Sequence, residues 1–146
     1  MTVFIDTNVI LDYVLRREHY AEAKETIVKL VAAGDKMLMS VGGFYTMLFL
    51  VDKYFRKDLQ KGRAEARELT RNIMRKVVKT FSIAEHDAEN LLAGVDEIRF
   101  KDIEDSCQYQ LAKKCCCDLF ITFNTSDFPE EATSEIRVVS PIEFML

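Results

Sequence analysis

A short run of β-prone apolar residues, Val3-Phe4-Ile5, ends at the polar trio Asp6-Thr7-Asn8, and apolar residues at helical spacing (Val9, Ile10, Tyr13, Val14) follow at once. The same alternation recurs. A helix fits Tyr20 to Ala33 and stops at Gly34-Asp35; Met37-Leu38-Met39 reads as a second strand. Ser40 is placed to cap a mostly apolar helix reaching about Phe55. A long helix is expected from Asp58 to Val78, with Leu59, Ala66, Leu69, Ile73 and Val77 on its inner side. A short strand at Lys79–Ile83 and a helix from Glu85 to Ile98 come next, then a helix capped by Asp102 that carries Cys107, Leu111 and Cys115. Leu119-Phe120-Ile121-Thr122 is the clearest buried strand of the second half, and Arg137-Val138-Val139-Ser140 is a last, shorter one. Strands alternating with helices imply an α/β fold: a central, mostly parallel sheet covered on both faces, with right-handed crossovers.

Composition removes the other classes. The 146 residues are 49% hydrophobic with five glycines and two prolines, which excludes a disordered chain and favours one domain over residues 1–146. The longest uncharged run, Met37 to Val51, holds fifteen residues and falls short of the roughly 20 that a membrane span needs. Asp6 and Asp12 interrupt the first apolar stretch, so no secretory signal is expected. Four cysteines, three of them adjacent (Cys115, Cys116, Cys117), make a poor disulfide framework and point to reduced thiols in a cytoplasmic protein. The three adjacent cysteines read most simply as a helix end packed in the core.

The net charge of −4 hides an asymmetry. From Lys53 to Lys79 there are ten basic and three acidic residues, a local +7, so the remainder carries −11. Arg63, Arg67, Arg71 and Arg75 recur every four residues and form a slowly drifting basic stripe on the long helix. Such a stripe suits a polyanion, or it is an ordinary solvated helix face.

Parallel α/β folds place ligands beyond the carboxyl ends of their strands. That rule selects Asp6 after the first strand, Ser40 after the second, and Thr122, Asn124 and Asp127 after the Leu119 strand. Asp102 and Asp105 open the preceding helix. Asp6, Asp105 and Asp127, with Asp102 and Glu104 as neighbours, can therefore converge. Two carboxylates about 4 Å apart repel by about 1 kcal/mol even in water, a cost that a divalent cation relieves. Oxygen-only ligands suit Mg²⁺ or Mn²⁺; His19 and His86 are too isolated to build a zinc site. Each acid also has a plain structural use. Asp6 can cap the first helix, Asp102 and Asp105 form an N-cap and N3 pair, Asp127 can be a turn residue, and Asp12 sits one to two turns into its helix.

At three places the chain resembles the PIN domain, the nuclease fold of many bacterial toxins in toxin–antitoxin pairs. The stretch Val3-Phe4-Ile5-Asp6-Thr7-Asn8-Val9-Ile10-Leu11-Asp12 matches the family's opening motif, and Ile103-Glu104-Asp105-Ser106-Cys107-Gln108-Tyr109 resembles the motif of its third acid. Leu119-Phe120-Ile121-Thr122-Phe123-Asn124-Thr125-Ser126-Asp127-Phe128 resembles its closing motif. The resemblance implies a three-layer α/β/α sandwich, usually dimeric, that cleaves RNA phosphodiester bonds with a bound metal. Asp6, Asp105 and Asp127 would be the catalytic metal ligands, with Mg²⁺ or Mn²⁺ bound. Asn8, Asp102, Thr122 and Asn124 would support them, and Arg63, Arg67, Arg71 and Arg75 would attract RNA. An antitoxin protein is the partner implied. The acidic set is reduced: Thr46 falls where the family usually has a Glu, and Asn124 replaces the closing motif's first Asp.

Two other readings follow from the residues. A PIN-like domain of weak or no catalytic power would bind nucleic acid or a protein through the same surfaces. A phosphatase-like hydrolase would use Asp6 as nucleophile, but needs a second acid two residues on, where Asn8 stands.

Overall fold

The computed structural model describes residues 1–146. Five strands, β1 (Thr2–Ile5), β2 (Lys36–Ser40), β3 (Ser82–Ala84), β4 (Leu119–Ile121) and β5 (Arg137–Val139), form one sheet in the order β3-β2-β1-β4-β5. Every neighbouring pair is parallel. Seven α-helices connect and cover them: α1 (Thr7–Val14), α2 (Tyr20–Ala33), α3 (Val41–Lys53), α4 (Arg63–Thr80), α5 (Ala88–Asp96), α6 (Ile103–Lys114) and α7 (Pro141–Met145).

Side chains alternate across the strands and so divide the core in two. Val3, Ile5, Met37, Met39, Leu119, Ile121 and Val139 point to one face, where Ile10 of α1, Ile27 and Leu30 of α2, Met47 and Val51 of α3 and Met74 and Val77 of α4 bury them. Phe4, Leu38 and Phe120 point to the other, against Tyr109, Leu111 and Ala112 of α6. Phe4 and Phe120 stack with centroids 4.9 Å apart, and the buried Tyr109 hydroxyl accepts the Ile136 N–H at 3.1 Å. The second outer layer is completed where α5 crosses α6 at Gly94. A Cβ there would lie 2.7 Å from the Cys107 Cα, so only glycine lets the helices meet. The three-layer α/β/α sandwich is therefore the observed architecture.

Capping signals act where expected. Gly34 takes the left-handed conformation (φ 73°) that ends α2, and Ser40 Oγ accepts the Gly43 N–H at 2.9 Å to start α3. The long basic helix differs from expectation. It begins at Arg63 rather than Asp58, because a π-helical turn at Tyr54–Asp58 is followed by Gln60 in a left-handed conformation (φ 53°). Leu59 consequently lies outside the helix and is exposed instead of lining its inner side. The third strand is Ser82–Ala84 rather than Lys79–Ile83, since α4 continues to Thr80, and α5 is shorter at each end than the expected Glu85–Ile98 helix. Asp87, not Glu85, is its N-cap: its carboxylate accepts the Asn90 N–H at 2.7 Å. No helix is long and apolar enough to cross a membrane.

Candidate active site

From β1 the sheet order runs outward in both directions, through β2 to β3 on one side and β4 to β5 on the other. The crevice at the carboxyl ends of β1 and β4 is where such a reversal leaves room for a ligand. Asp6 follows β1 directly and Thr122 follows β4; both are buried. Thr122 Oγ1 donates to Asp6 Oδ2 at 2.8 Å and accepts the Asn124 N–H at 3.0 Å. One hydroxyl thus holds the Asp6 rotamer and the first turn of the loop after β4. Asp6 occupies the N-cap position of α1, yet its side chain makes no capping hydrogen bond. The Thr7 and Asn8 N–H groups of that first turn still favour its ionised form, so Asp6 lines the cleft while remaining at the helix end.

Asp102 behaves in the opposite way. Its carboxylate accepts the Asp105 N–H at 3.0 Å and caps α6, which leaves the Asp105 side chain free to face Asp6. A cleft of about 140 Å³ opens between them, lined by Asp6, Thr7, Asn8, Thr46, Asp102, Glu104, Asp105 and Asn124. Every lining residue is polar, four are acids, and no lysine or arginine is among them. Burial pushes the Asp6 carboxyl above its ordinary range, against the Thr122 hydroxyl bond, and the charge of Glu104 adds to the rise. Asp105 is pushed up to about 7, first by burial and then by repulsion from Asp6, Asp102, Asp127 and Glu104. Two buried carboxyls with no cationic partner form a site whose charge is balanced only by protons or by an added cation.

The donor set fits one hard divalent ion. All candidate ligands are oxygens, and the site has no thiol or imidazole. No three His, Cys, Asp or Glu side chains gather closely enough to chelate an ion by themselves. Asp6 and Asp105 are brought together; Asp127, on a 3₁₀ turn at Thr125–Asp127, is half-buried and stands off the cleft wall, felt there through its charge on Asp105. Two carboxylates plus neutral oxygens and waters is a coordination that Mg²⁺ accepts. Asn8 and Asn124 supply such neutral oxygens on the wall.

Other singled-out residues sort clearly. Thr46 does line the cleft, so the position at which the family carries Glu is a hydroxyl here. Asp12 is structural: it pairs with Arg17 at 3.1 Å and accepts the His19 N–H at 3.2 Å, tying the α1–α2 loop. Burial pushes the Cys117 thiol up to about 12, and all four cysteines are free. Arg63, Arg67, Arg71 and Arg75 are all exposed on α4, but none reaches the cleft. A larger, more apolar groove of about 280 Å³ between α1, α2 and α4 has no acid and offers nothing to hydrolysis. Sequence reasoning overlooked Thr7 and Gly43. A Cβ on Gly43 would stand 2.6 Å from Thr7 Oγ1, so this glycine lets the first turn of α3 lie against the cleft floor. The only available signal was its place three residues before Thr46.

With the geometry in hand, the class is plain. Residues 2–126 match the family model described as PIN domain, and the chain belongs to that family. It is 31% identical over 144 residues to Ribonuclease VapC1 of Aquifex aeolicus (strain VF5), a match covering 97% of this chain and 92% of that protein. Its fold is similar to VapBC-1 from nontypeable Haemophilus influenzae, with a TM-score of 0.68 at 13% identity, over 97% of this chain and 99% of that one. It is similar too to VapBC2 from Rickettsia felis, described as bound to a DNA fragment from their promoter, with a TM-score of 0.68 at 12% identity over 96% and 98% of the two chains.

Proposed function

We propose that this chain is a metal-dependent endoribonuclease that hydrolyses RNA phosphodiester bonds and serves as the toxin of a toxin–antitoxin pair. The observation that carries the reading is the cation-free cleft in which Asp6 and Asp105 face each other. The PIN family membership, the relative named a ribonuclease and the structural neighbours named as VapBC complexes support it. The same kinship makes an antitoxin protein the expected partner and a homodimer the expected assembly.

A bound Mg²⁺ or Mn²⁺ would supply an acidified water as nucleophile and offset charge developing on the phosphate. Asp6 would hold that ion from the end of the sheet and Asp105 from the helix layer packed on it, and Asp127 would act through water. Thr122 holds Asp6 through Oδ2 and so restricts its rotamer at the cleft. Asn8 and Asn124 orient waters or phosphate oxygens without adding repulsive charge. Asp102 holds the first turn of α6 and so fixes the height of Asp105 in the cleft. The arginines of α4 attract the RNA backbone without reading bases.

The test is RNA cleavage by purified Asp6→Asn with and without Mn²⁺. Loss of metal-dependent cleavage in a folded variant supports the assignment; unchanged cleavage defeats it. Thr46 in place of an acid favours a second reading, a PIN domain that binds RNA and leaves it intact. A Mn²⁺ titration separates the two, because the binder shows salt-dependent association and no product at any metal concentration.

A further inference from the structure

The four acids of the cleft are unevenly placed. Asp6 comes from the end of β1, whereas Asp102, Glu104 and Asp105 all come from the start of α6. The α3 wall contributes only a hydroxyl, that of Thr46. Asp102 is spent on the α6 cap, and Asp6 and Asp105 face each other. Glu104 has no such use. Glu65, Glu68, Glu97 and Glu135 each pair with a lysine or arginine, and Glu143 closes the capping box of α7. Glu104 enters no ion pair anywhere in the chain. It is exposed at the cleft mouth, yet its charge reaches inward. After burial, its repulsion is what raises the Asp6 carboxyl, and it joins burial and three other acids in raising Asp105. An acid in the first turn of a helix gains from the N–H groups there. That gain does not require the side chain to line a wall where every other charge repels it.

We propose that Glu104 is an outer anionic arm of the ion site, reaching the divalent cation of the Asp6–Asp105 cleft through a water and making up, from α6, for the acid that α3 lacks. The proposal rests on the nuclease reading and deepens it by adding a positioning residue to that site. Direct contact is not required of Glu104. No three acids stand close enough to chelate by themselves, and Mg²⁺ keeps several waters whose hydrogens need acceptors. A glutamate is one methylene longer than the aspartates beside it and starts from the mouth, which suits an acceptor one water removed from the ion. Carboxylates that hold a metal's ligands in this way change its affinity by about ten- to a hundred-fold. The uneven placement also has a use. With the charge gathered on the β1 and α6 sides, the α3 wall stays neutral at Thr46, and a phosphate approaching along it meets no like charge.

The full-length protein is titrated with Mn²⁺ alone, free Mn²⁺ being read from its solution EPR signal, so no cleavage enters the measurement. Glu104→Gln is expected to bind Mn²⁺ about ten-fold or more weakly than wild type while keeping its helical circular dichroism. Thr46→Glu, placed in the Glu104→Gln background, is expected to return most of that affinity, because it puts a carboxylate back on the cleft from the α3 wall. A residue that merely supports the end of α6 would not be replaced in this way from another helix. Unchanged Mn²⁺ affinity in Glu104→Gln overturns the proposal. So does a loss that Thr46→Glu leaves unmended, since the fault then lies in the α6 turn and not in a missing cleft charge. Asp6→Asn titrated in parallel keeps the two readings apart. If it loses Mn²⁺ while Glu104→Gln binds normally, only the outer arm fails. If it binds Mn²⁺ as wild type does, the cleft is not the ion site and the nuclease assignment fails with it.

Discussion

Thr122 Oγ1 lies 2.8 Å from Asp6 Oδ2 although the two residues are 116 positions apart. The hydroxyl also accepts the Asn124 N–H, so both of its roles are used and its orientation is fixed. Thr122→Val keeps the shape and removes the hydroxyl. It is expected to cost about 1–3 kcal/mol, because a buried carboxylate oxygen and an amide lose their partner. Thr122→Ser should restore most of the loss. Urea unfolding and Mn²⁺ affinity, measured together, check whether the same bond supports the fold and the site.

Asp105 should make the metal-free protein less stable as pH rises. Its folded value is about 7 against an ordinary 3.8, so between those limits the folded state holds a proton that the unfolded chain has released. The penalty is absent below about 4, grows through the interval and is complete above about 7. Melting temperatures in EDTA at pH 5 and pH 8 for wild type and Asp105→Asn test this. Only the difference between the two proteins counts, because it sets aside groups that titrate alike in both; Asp87 and Glu97, both held low by basic partners, are ionised throughout this range and add no slope. Saturating Mn²⁺ is expected to remove most of the difference in the wild type.

Asp6 and Asp102 should part company when each is replaced. Asp6→Asn removes a buried charge and is expected to raise metal-free stability while abolishing cleavage, the usual exchange at an active site. Asp102→Ala removes the α6 cap, costs about 1 kcal/mol and lowers cleavage only in part. Thermal denaturation beside a cleavage assay reads both signs.

Gly42 and Gly43 are neighbours with different duties. Gly43→Ala would push a methyl to within 2.6 Å of Thr7 Oγ1, so α3 must shift away from the cleft floor; a loss of about 1–3 kcal/mol and impaired cleavage are expected. At Gly42 a Cβ meets nothing closer than Ser40 Oγ at 3.8 Å, and Gly42→Ala is expected to be neutral or to stabilise by up to about 1 kcal/mol. Chemical denaturation of the two single variants gives the comparison directly.

The elements of this fold were legible because its strands are short apolar runs and its helices carry their own punctuation. Gly34, Ser40 and Asp102 end or start helices by local geometry, which sequence shows well. Asp6 and Asp105 were legible as strand-end and helix-start acids, but their facing each other depends on packing between layers. Asp127 was legible as an acid after β4, but its place on a 3₁₀ turn beside the cleft, where its charge reaches Asp105, depends on torsions that sequence does not show. The Asp58–Val78 helix misled for a similar reason: apolar spacing continues through Leu59, and only the left-handed Gln60 interrupts it. Which of Asp6 and Asp102 spends its carboxylate on a helix end could not be read from residue type, since both stand before helices.

Because β1 finds its second neighbour only when β4 arrives, the crevice is among the last things a growing polypeptide can build. A ribosome that has not yet released the region around Thr122 carries a strand-and-helix fragment whose Asp6 lacks its clasp. The crevice is thereby completed only after most of the sequence is available to pair.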